Sequence, residues 1–523
     1  MVQGRAVTAG GARSAARQQY VVLGGGTAGW MCAAVLAKLF GQGDYHIVLV
    51  ESEQIGTVGV GEATIPPILD LLDLLDIPLG DFVARTEATF KLGIEFDGWR
   101  QDGKQYLHPF GTIGHQLGPV PFHHYWLREL AGKSGLGVSL EAYSPTAQLA
   151  RAGLVAQPTR GSNSPLDAVR FALHFDAAAA AAYLRSHAEK LGVERVAGTV
   201  SSVETDIAVG RISALVLEDG RRCSADFVFD CSGFAARAIC ALTGHDWDDW
   251  SRWLPCDSAI VAATQSAGSI RTYTRAVANE TGWQWNIPLQ SRDGNGRVYA
   301  SAYCTDAEAE RSFLTSLPAA PSSEPRLLRF RTGRRTRPWA GNCLAIGLAA
   351  GFMEPLESTS IHLAQSGLLR FLAYIGCEGS EDQARQKYNR ETESEWRAIR
   401  DFLILHYAAN ERIGEPFWDD RRTMPLPTSL EEKIALYRED GRILPTAGDL
   451  FGESNWLAIL VGQMPPPMRQ HPLAGLMPVS EIEDKLGRLA ATVGSVVQAG
   501  VPHREFIEKT IGAGDIARSR TAH

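Results

Sequence analysis

The stretch Val21–Trp30, Val-Val-Leu-Gly-Gly-Gly-Thr-Ala-Gly-Trp, constrains this chain more than any other. An apolar run feeds Gly24-x-Gly26-x-x-Gly29, and an Ala- and Leu-rich helical pattern follows from Met31 to about Phe40. That order predicts a strand, a tight turn and a helix N-terminus. Gly24 permits the turn, Gly26 lets a pyrophosphate approach the backbone, and Gly29 lets helix and strand pack closely. The helix start offers unpaired N–H groups and the positive end of its dipole to phosphates. The next apolar run, His46–Val50, ends in Glu51. Glu51 follows Gly29 by 51 − 29 = 22 residues, near the roughly 20 at which an acid that accepts from a ribose hydroxyl is expected. The glycines alone would describe an ordinary turn. With both strands, the helix and the acid, the stretch predicts dinucleotide binding.

A chain of 523 residues can bury a large core and form more than one domain. The net charge is −8 and no stretch is strongly basic, so neither nucleic acid nor an anionic membrane is an expected partner. The cysteines are scattered and form no C-x-x-C pair, which argues against a zinc site and suits a reducing, cytoplasmic location. No metal is expected. No apolar run reaches the roughly 18 residues of a membrane helix. The first residues carry Arg5, Arg13 and Arg17 among Gly and Ala without an apolar core. Residues 1–18 therefore read as a disordered extension, with a transit peptide as the alternative, rather than a secretory signal.

Beyond Glu51, the Gly-rich run Ile55–Pro67 reads as a loop that touches the cofactor. Phe90–Trp99 largely alternates and reads as one strand with Lys91 at its start; taken alone, Lys91 is a solvated lysine. His108-Pro-Phe-Gly111 and Phe122–Trp126 read as aromatic-rich loops. Val193–Val203 and Arg211–Leu217 read as a strand pair, and Asp226–Gly233 as a buried strand ending in a turn near the cofactor. Trp283 and Trp285 share one face of a strand that Pro288 ends, either as core or as the wall of a channel. Ser358 or Thr359 suits a helix N-cap, and that helix start can hold an anion. Glu357 lies just before the cap, either free as an acid or base or compensating the dipole. From about residue 380 the chain reads as mainly helical, with loops at Gly414–Pro427 and Met464–Pro472.

Four motifs together resemble the flavin-dependent tryptophan halogenases: the glycine turn, Phe90-Lys91-x-Gly-Ile, Trp283-x-Trp285-x-Ile287-Pro288 and Pro355-Leu-Glu-Ser-Thr359. The resemblance runs from about residue 19 to 510. It implies an α/β fold: a flavin-monooxygenase-like FAD-binding domain on a Rossmann-type GxGxxG turn, with a largely helical substrate-binding region. The implied division is a core over 19–375, with substrate segments inserted at about 75–175 and 250–330, and a mainly helical region over 376–523. The implied reaction uses FADH2 from a separate NAD(P)H flavin reductase and dioxygen. A flavin hydroperoxide and a halide, chloride or bromide, give hypohalous acid, which crosses a tunnel to an electron-rich aromatic of the indole or tryptophan kind. The protein would be a monomer or homodimer.

The same resemblance assigns residues. Lys91 and Glu357 match the catalytic lysine and glutamate. Flavin contacts fall on Gly24, Gly26, Thr27, Ala28, Gly29, Glu51, Ala63, Val200, Leu348 and Ile361. Halide falls on Thr359 and Ser360, the tunnel on Trp283, Trp285, Ile287, Pro288 and Ser358, and the substrate on His108, Phe110 and Trp456. An ammonium at Lys91 would hydrogen-bond the hypohalous acid, or its neutral amine would form a haloamine; either orients the halogen over one ring carbon. Glu357 would accept the ring proton or polarise the electrophile. Relatives acting on free tryptophan carry Gly, Ile and Tyr after Glu-Ser-Thr, whereas this chain has Ser360, Ile361 and His362. The competing reading on the same fold is a flavin-dependent aromatic hydroxylase.

Overall fold

The computed structural model describes residues 17–521, except 42, 44, 54–60, 101, 133–137, 160, 162–163, 207, 267, 378 and 447. Most of the expected extension, and the first half of the run from Ile55, lie outside the described residues. The first strand already begins at Gln18, inside the expected extension.

A six-stranded sheet forms the centre of the cofactor half. Its spatial order is Trp339–Ala340, Cys343–Ala345, Phe227–Asp230, Gln18–Leu23, Tyr45–Glu51 and Glu194–Ala197. All pairings are parallel except that of the Trp339 edge strand. Val21, Val22, Leu49 and Val228 are fully buried, as a parallel sheet covered on both faces requires. The middle of the helix Thr27–Phe40 is enclosed, with Met31–Leu36 inaccessible to solvent, and only its last turn at Lys38 and Leu39 is exposed. Its Ala and Cys residues allow that enclosure, and the Ala-rich helix Ala177–Lys190 packs closely against it. The Asp176 side chain caps the second helix by accepting from Ala179 N–H at 2.8 Å.

The register pairs Leu23 with Val50 and with Asp230, and Asp230 with Ala345. The carboxyl ends of these strands are therefore level, and the turns that follow them share one edge of the sheet. Ligands of open α/β sheets bind at that edge.

A second sheet of seven strands covers it, in the order Arg326–Arg329, Ser258–Gln265, Arg292–Tyr299, Gly282–Pro288, Thr274–Asn279, Gly93–Asp97 and Tyr106–Pro109. A small sheet places Ala172–Phe175 between Glu62–Ala63 and Thr89–Lys91. The Phe90–Trp99 run is thus two strands in different sheets, broken at Leu92. Leu92 N–H donates outside both, to the Thr272 carbonyl at 2.6 Å.

Three other expectations change. Phe122–Gly132 is a helix, not a loop: Phe122, Tyr125 and Trp126 lie at helical spacing and all are buried. Val193–Val203 divides between Glu194–Ala197 in the parallel sheet and Val200–Asp206, which alone pairs with Arg211–Leu217. Gly414–Pro427 contains the helix Pro416–Thr423. The C-terminal part is mainly helical, and its helix Glu381–Ala408 reaches the interior with a continuous buried run from Ile399 to Ala408.

Candidate functional site

The level strand ends open into a cavity of about 960 Å³. All ten residues assigned to the flavin line it. The glycine turn fits a phosphate-bearing cofactor. Gly24 holds φ +116, where a Cβ would stand 2.3 Å from the Cys231 carbonyl oxygen. A Cβ on Gly29 would stand 1.9 Å from Gly24 O, whereas the Cβ position on Gly26 meets nothing within 4 Å. Gly24 and Gly29 are fixed by packing, and Gly26 leaves its backbone open to a ligand. The capping residue Gly26 supplies no side-chain acceptor, so the first N–H groups of Thr27–Phe40 are free of a side-chain cap.

Glu51 stands at the wall, where its carboxylate pairs with Arg195 and accepts from Trp30 Nε1 at 3.3 Å. Arg185, Arg195 and Arg237 also line this cavity, and the sequence reading passed over all three. Glu62, from the Gly-rich run expected to touch the cofactor, lines the cavity too, and burial pushes its carboxyl up to about 7. Asp230 shapes the facing loop. Its two oxygens accept from the N–H groups of Ser232, Ala238 and Ile239.

Trp285, Ile287 and Ser358 of the expected tunnel line the cavity. The Trp285 indole N–H has no acceptor among the described residues. Trp283 does not line the cavity. It packs against Trp285 with ring centroids 5.9 Å apart and donates from Nε1 to Glu354 at 2.8 Å. Pro288 lies behind it, its carbonyl accepting from Thr89 at 2.7 Å. The expected halide residues divide likewise: Ser360 lines the cavity and Thr359 does not. Thr359 occupies the N-cap position of the helix Ser360–Leu372, yet its side chain makes no cap bond. The N–H groups of Thr359, Ser360, Ile361 and His362 have no acceptor among the described residues. His362 meets Glu395 at 3.2 Å, on the side of the long helix.

Across Ser358 lies a sealed polar cluster. Ser358 is left-handed, with φ 59, and its hydroxyl accepts from Lys91 Nζ at 2.7 Å. Lys91 also donates to the Thr64 carbonyl at 3.1 Å and lies 5.3 Å from the Phe110 ring centre. It is 0% exposed, so the solvated reading is excluded. Burial lowers its ammonium to about 7, against a partial upward pull from Glu357.

Glu357 does not hang free. It is 1% exposed and bonded by His108 Nδ1 at 3.0 Å and by His406 Nε2 at 2.8 Å. Burial would raise this carboxyl, but the two histidines outweigh it and hold it at about 2. The sequence reading missed His406, on the long helix, and Asn455, whose side-chain amide meets His108 Nε2 at 2.9 Å. It also missed Glu354, which accepts from Trp283 and from Tyr407 at 2.7 Å and is pushed by burial to about 7. Trp456 is buried but packs on Phe402 and beneath Lys433, away from the cavity lining.

A parallel sheet whose glycine turn opens on a cavity at the carboxyl edge is the architecture of flavin- and dinucleotide-dependent enzymes. Within that class, residues 19–479 match the tryptophan halogenase family, and the chain belongs to it as a flavin-dependent halogenase. It is 34% identical over 449 residues to tryptophan 7-halogenase RebH of Lentzea aerocolonigenes, covering 82% of this chain and 83% of that protein. To tryptophan 6-halogenase SttH of Streptomyces toxytricini it is 33% identical, over 84% of this chain and 88% of that one. Among solved structures it resembles Xcc4156, a flavin-dependent halogenase from Xanthomonas campestris, with TM-score 0.90 and 40% identity over 95% of this chain and 99% of that one. BrvH, a flavin-dependent halogenase from Brevundimonas sp. BAL3, gives 0.89 and 38% over 94% and 99%. The hydroxylase reading is set aside. No helix among the described residues is long and apolar enough to cross a membrane.

Proposed function

We propose that this enzyme halogenates an electron-rich aromatic of the indole class, using FADH2 from a separate NAD(P)H flavin reductase, dioxygen and chloride or bromide. When bound, the reduced flavin with dioxygen and halide supplies the oxidised halogen, as hypohalous acid. The observation that carries the reading is Ser358, which lines the flavin cavity and bonds Lys91 beyond it. A small oxidant made on one side meets the lysine on the other.

The chain's own residues then have distinct tasks. The glycine turn and the helix start behind it hold the cofactor phosphates. The uncapped N–H groups at Thr359–His362 seat the halide, with the Ser360 hydroxyl beside them. Lys91, lowered to about 7, is partly a neutral amine near pH 7. It hydrogen-bonds the intact hypohalous acid and holds its halogen over one ring carbon, which replaces random encounter with fixed orientation. Glu357, as carboxylate, takes the proton the ring loses. His108 and Phe110 belong to the substrate wall through their contacts with Glu357 and Lys91. The expected inserted segment about 75–175 reaches that end through His108 and Phe110, and the region 376–523 through His406 and Asn455.

The test is incubation with FAD, a flavin reductase, NADH, bromide and indole, followed by mass spectrometry. Addition of bromine supports the reading. Addition of oxygen alone overturns it in favour of hydroxylation.

A further inference from the structure

The hydrogen bonds around Glu357 require one proton more than a carboxylate and two neutral imidazoles provide. His406 Nδ1 lies 2.8 Å from the Phe402 carbonyl oxygen, which only accepts, so Nδ1 carries a hydrogen. Its Nε2 lies 2.8 Å from Glu357 Oε1. A neutral imidazole with its hydrogen on Nδ1 would point a lone pair at that oxygen, and two acceptors do not attract. The contact therefore holds a proton, on Nε2 or on Oε1.

His108 does not supply it. Gly452 N–H donates to Asn455 Oδ1 at 2.9 Å, so the Asn455 amino group is what faces His108 Nε2. His108 Nε2 accepts, and its hydrogen sits on Nδ1, already donated to Glu357. The other titratable groups acting on Glu357 are Lys91 and Tyr106. Lys91 donates instead to Ser358 and Thr64, and the Tyr106 hydroxyl has no partner among the described residues. The neighbouring Glu354 is taken by Trp283 and Tyr407. The rings of Phe96, Trp99 and Phe402 enclose the imidazole of His406, which is 0% exposed.

We propose that Glu357 and His406 jointly hold one exchangeable proton, and that His406 stores it for Glu357 during halogen transfer. This rests on the placement of Glu357 at the substrate end proposed above. With one proton the buried pair is neutral overall; with none or two it carries an uncompensated charge in a low-dielectric site.

The step balances without another reagent. As the carbon–halogen bond forms, the oxygen–halogen bond of hypohalous acid breaks and its electron pair stays on oxygen. The pair's proton moves to that oxygen, and water leaves. The ring C–H bond then breaks, its electrons return to the ring, and its proton refills Glu357 and His406. An aromatic C–H and hypohalous acid give an aryl halide and water, and the pair ends as it began.

The test reads protons directly. In the full-length enzyme, nitrogen NMR of the histidine rings and carbon NMR of the carboxyls are followed from about pH 6 to 8, where histidine ordinarily titrates. The wild type is expected to show one proton across the pair. In Glu357→Gln, His406 is expected to become neutral, with hydrogen on Nδ1 only. A neutral His406 beside an ionised Glu357 overturns the proposal, as does a His406 signal unmoved by Glu357→Gln. In kinetics, His406→Gln keeps a polar side chain but cannot be charged. With melting temperature confirming the fold, kcat for halogenation should fall about 100-fold, while KM and flavin reoxidation stay normal. A wild-type kcat overturns the relay alone. A wild-type enzyme that halogenates nothing overturns the functional reading and the relay with it.

Discussion

The two ends of this site recognise their ligands by opposite means. The cavity end is large: its phosphate side is backbone, with glycines, free N–H groups and strand termini, and apolar side chains such as Trp285, Ile287 and Met353 complete the wall. The lysine end is sealed and made of side chains, each fixed by another from a distant element. Backbone recognition tolerates a cofactor that arrives, reacts and leaves. A side-chain cage holds one atom in one place. The division suits an enzyme that makes a small diffusible oxidant at one end and spends its selectivity at the other.

The largest effect should come from merging the two ends into one failure. Gly26→Val fills the open space above the turn and should abolish FAD binding in titration calorimetry, while circular dichroism still reports a folded chain. Flavin binding at wild-type affinity would break the comparison at its first side. Lys91→Ala should separate the ends cleanly. Flavin reoxidation and peroxide release should stay near normal while halogenated product falls below detection. A Lys91→Ala enzyme that halogenates at the wild-type rate and ring position would show a freely diffusing electrophile and no cage. Glu357→Gln keeps the shape and loses the base, so some product should remain, reduced about 10²–10⁴-fold. Chromatographic yield against flavin turnover measures both.

A smaller, purely thermodynamic effect follows from burial. Folded Lys91 releases its proton at about 7, against 10.5 for an exposed lysine. Between those values the unfolded chain binds more protons, so raising pH favours the folded state. Urea midpoints of the wild type should therefore rise from pH 7 toward 10 relative to Lys91→Met; equal slopes would mean that the amine is solvated. The smallest expected effect is at the halide seat. Ser360 adds bulk beside the free N–H groups, so bromide should be used at least as well as chloride. Ser360→Gly should shift competition product modestly toward chloride, and an unchanged ratio would remove Ser360 from the seat.

The same division explains what the sequence disclosed. Strand, turn, helix and Glu51 are contiguous, and their glycines have backbone reasons to be glycine, so this part of the cofactor wall is legible in local pattern, whereas Val200, Leu348 and Ile361 come only from the family resemblance and Arg185, Arg195 and Arg237 carry no local signal. The lysine cage has no such locality. Thr64 and Ser358 reach Lys91 from 27 and 267 residues away, and His108 and His406 reach Glu357 from 249 and 49. Lys91 reads locally as a solvated lysine and gains its role only through family resemblance, while Glu357 reads as an acid or base only because it precedes a helix cap. His406, one histidine within a long helix, carries no local signal at all. Trp283 and Pro288 lie outside the cavity lining while Trp285 lines it, because alternation gives the face of a strand but not what stands in front of it.

The helix Ser360–Leu372 begins without using the cap it has. Thr359 stands at the right position, yet its hydroxyl accepts none of the first N–H groups. A bonded cap is worth about 1 kcal/mol. Evolution for heat resistance alone would close it, and an acidic side chain there would close it best. The same groups would then be lost to any passing anion. In the proposed reaction those groups seat the halide, so a laboratory screen that ranks variants by melting temperature is expected to favour changes at this position that cost activity, and thermal selection here has to be run with halide turnover as a second, independent criterion.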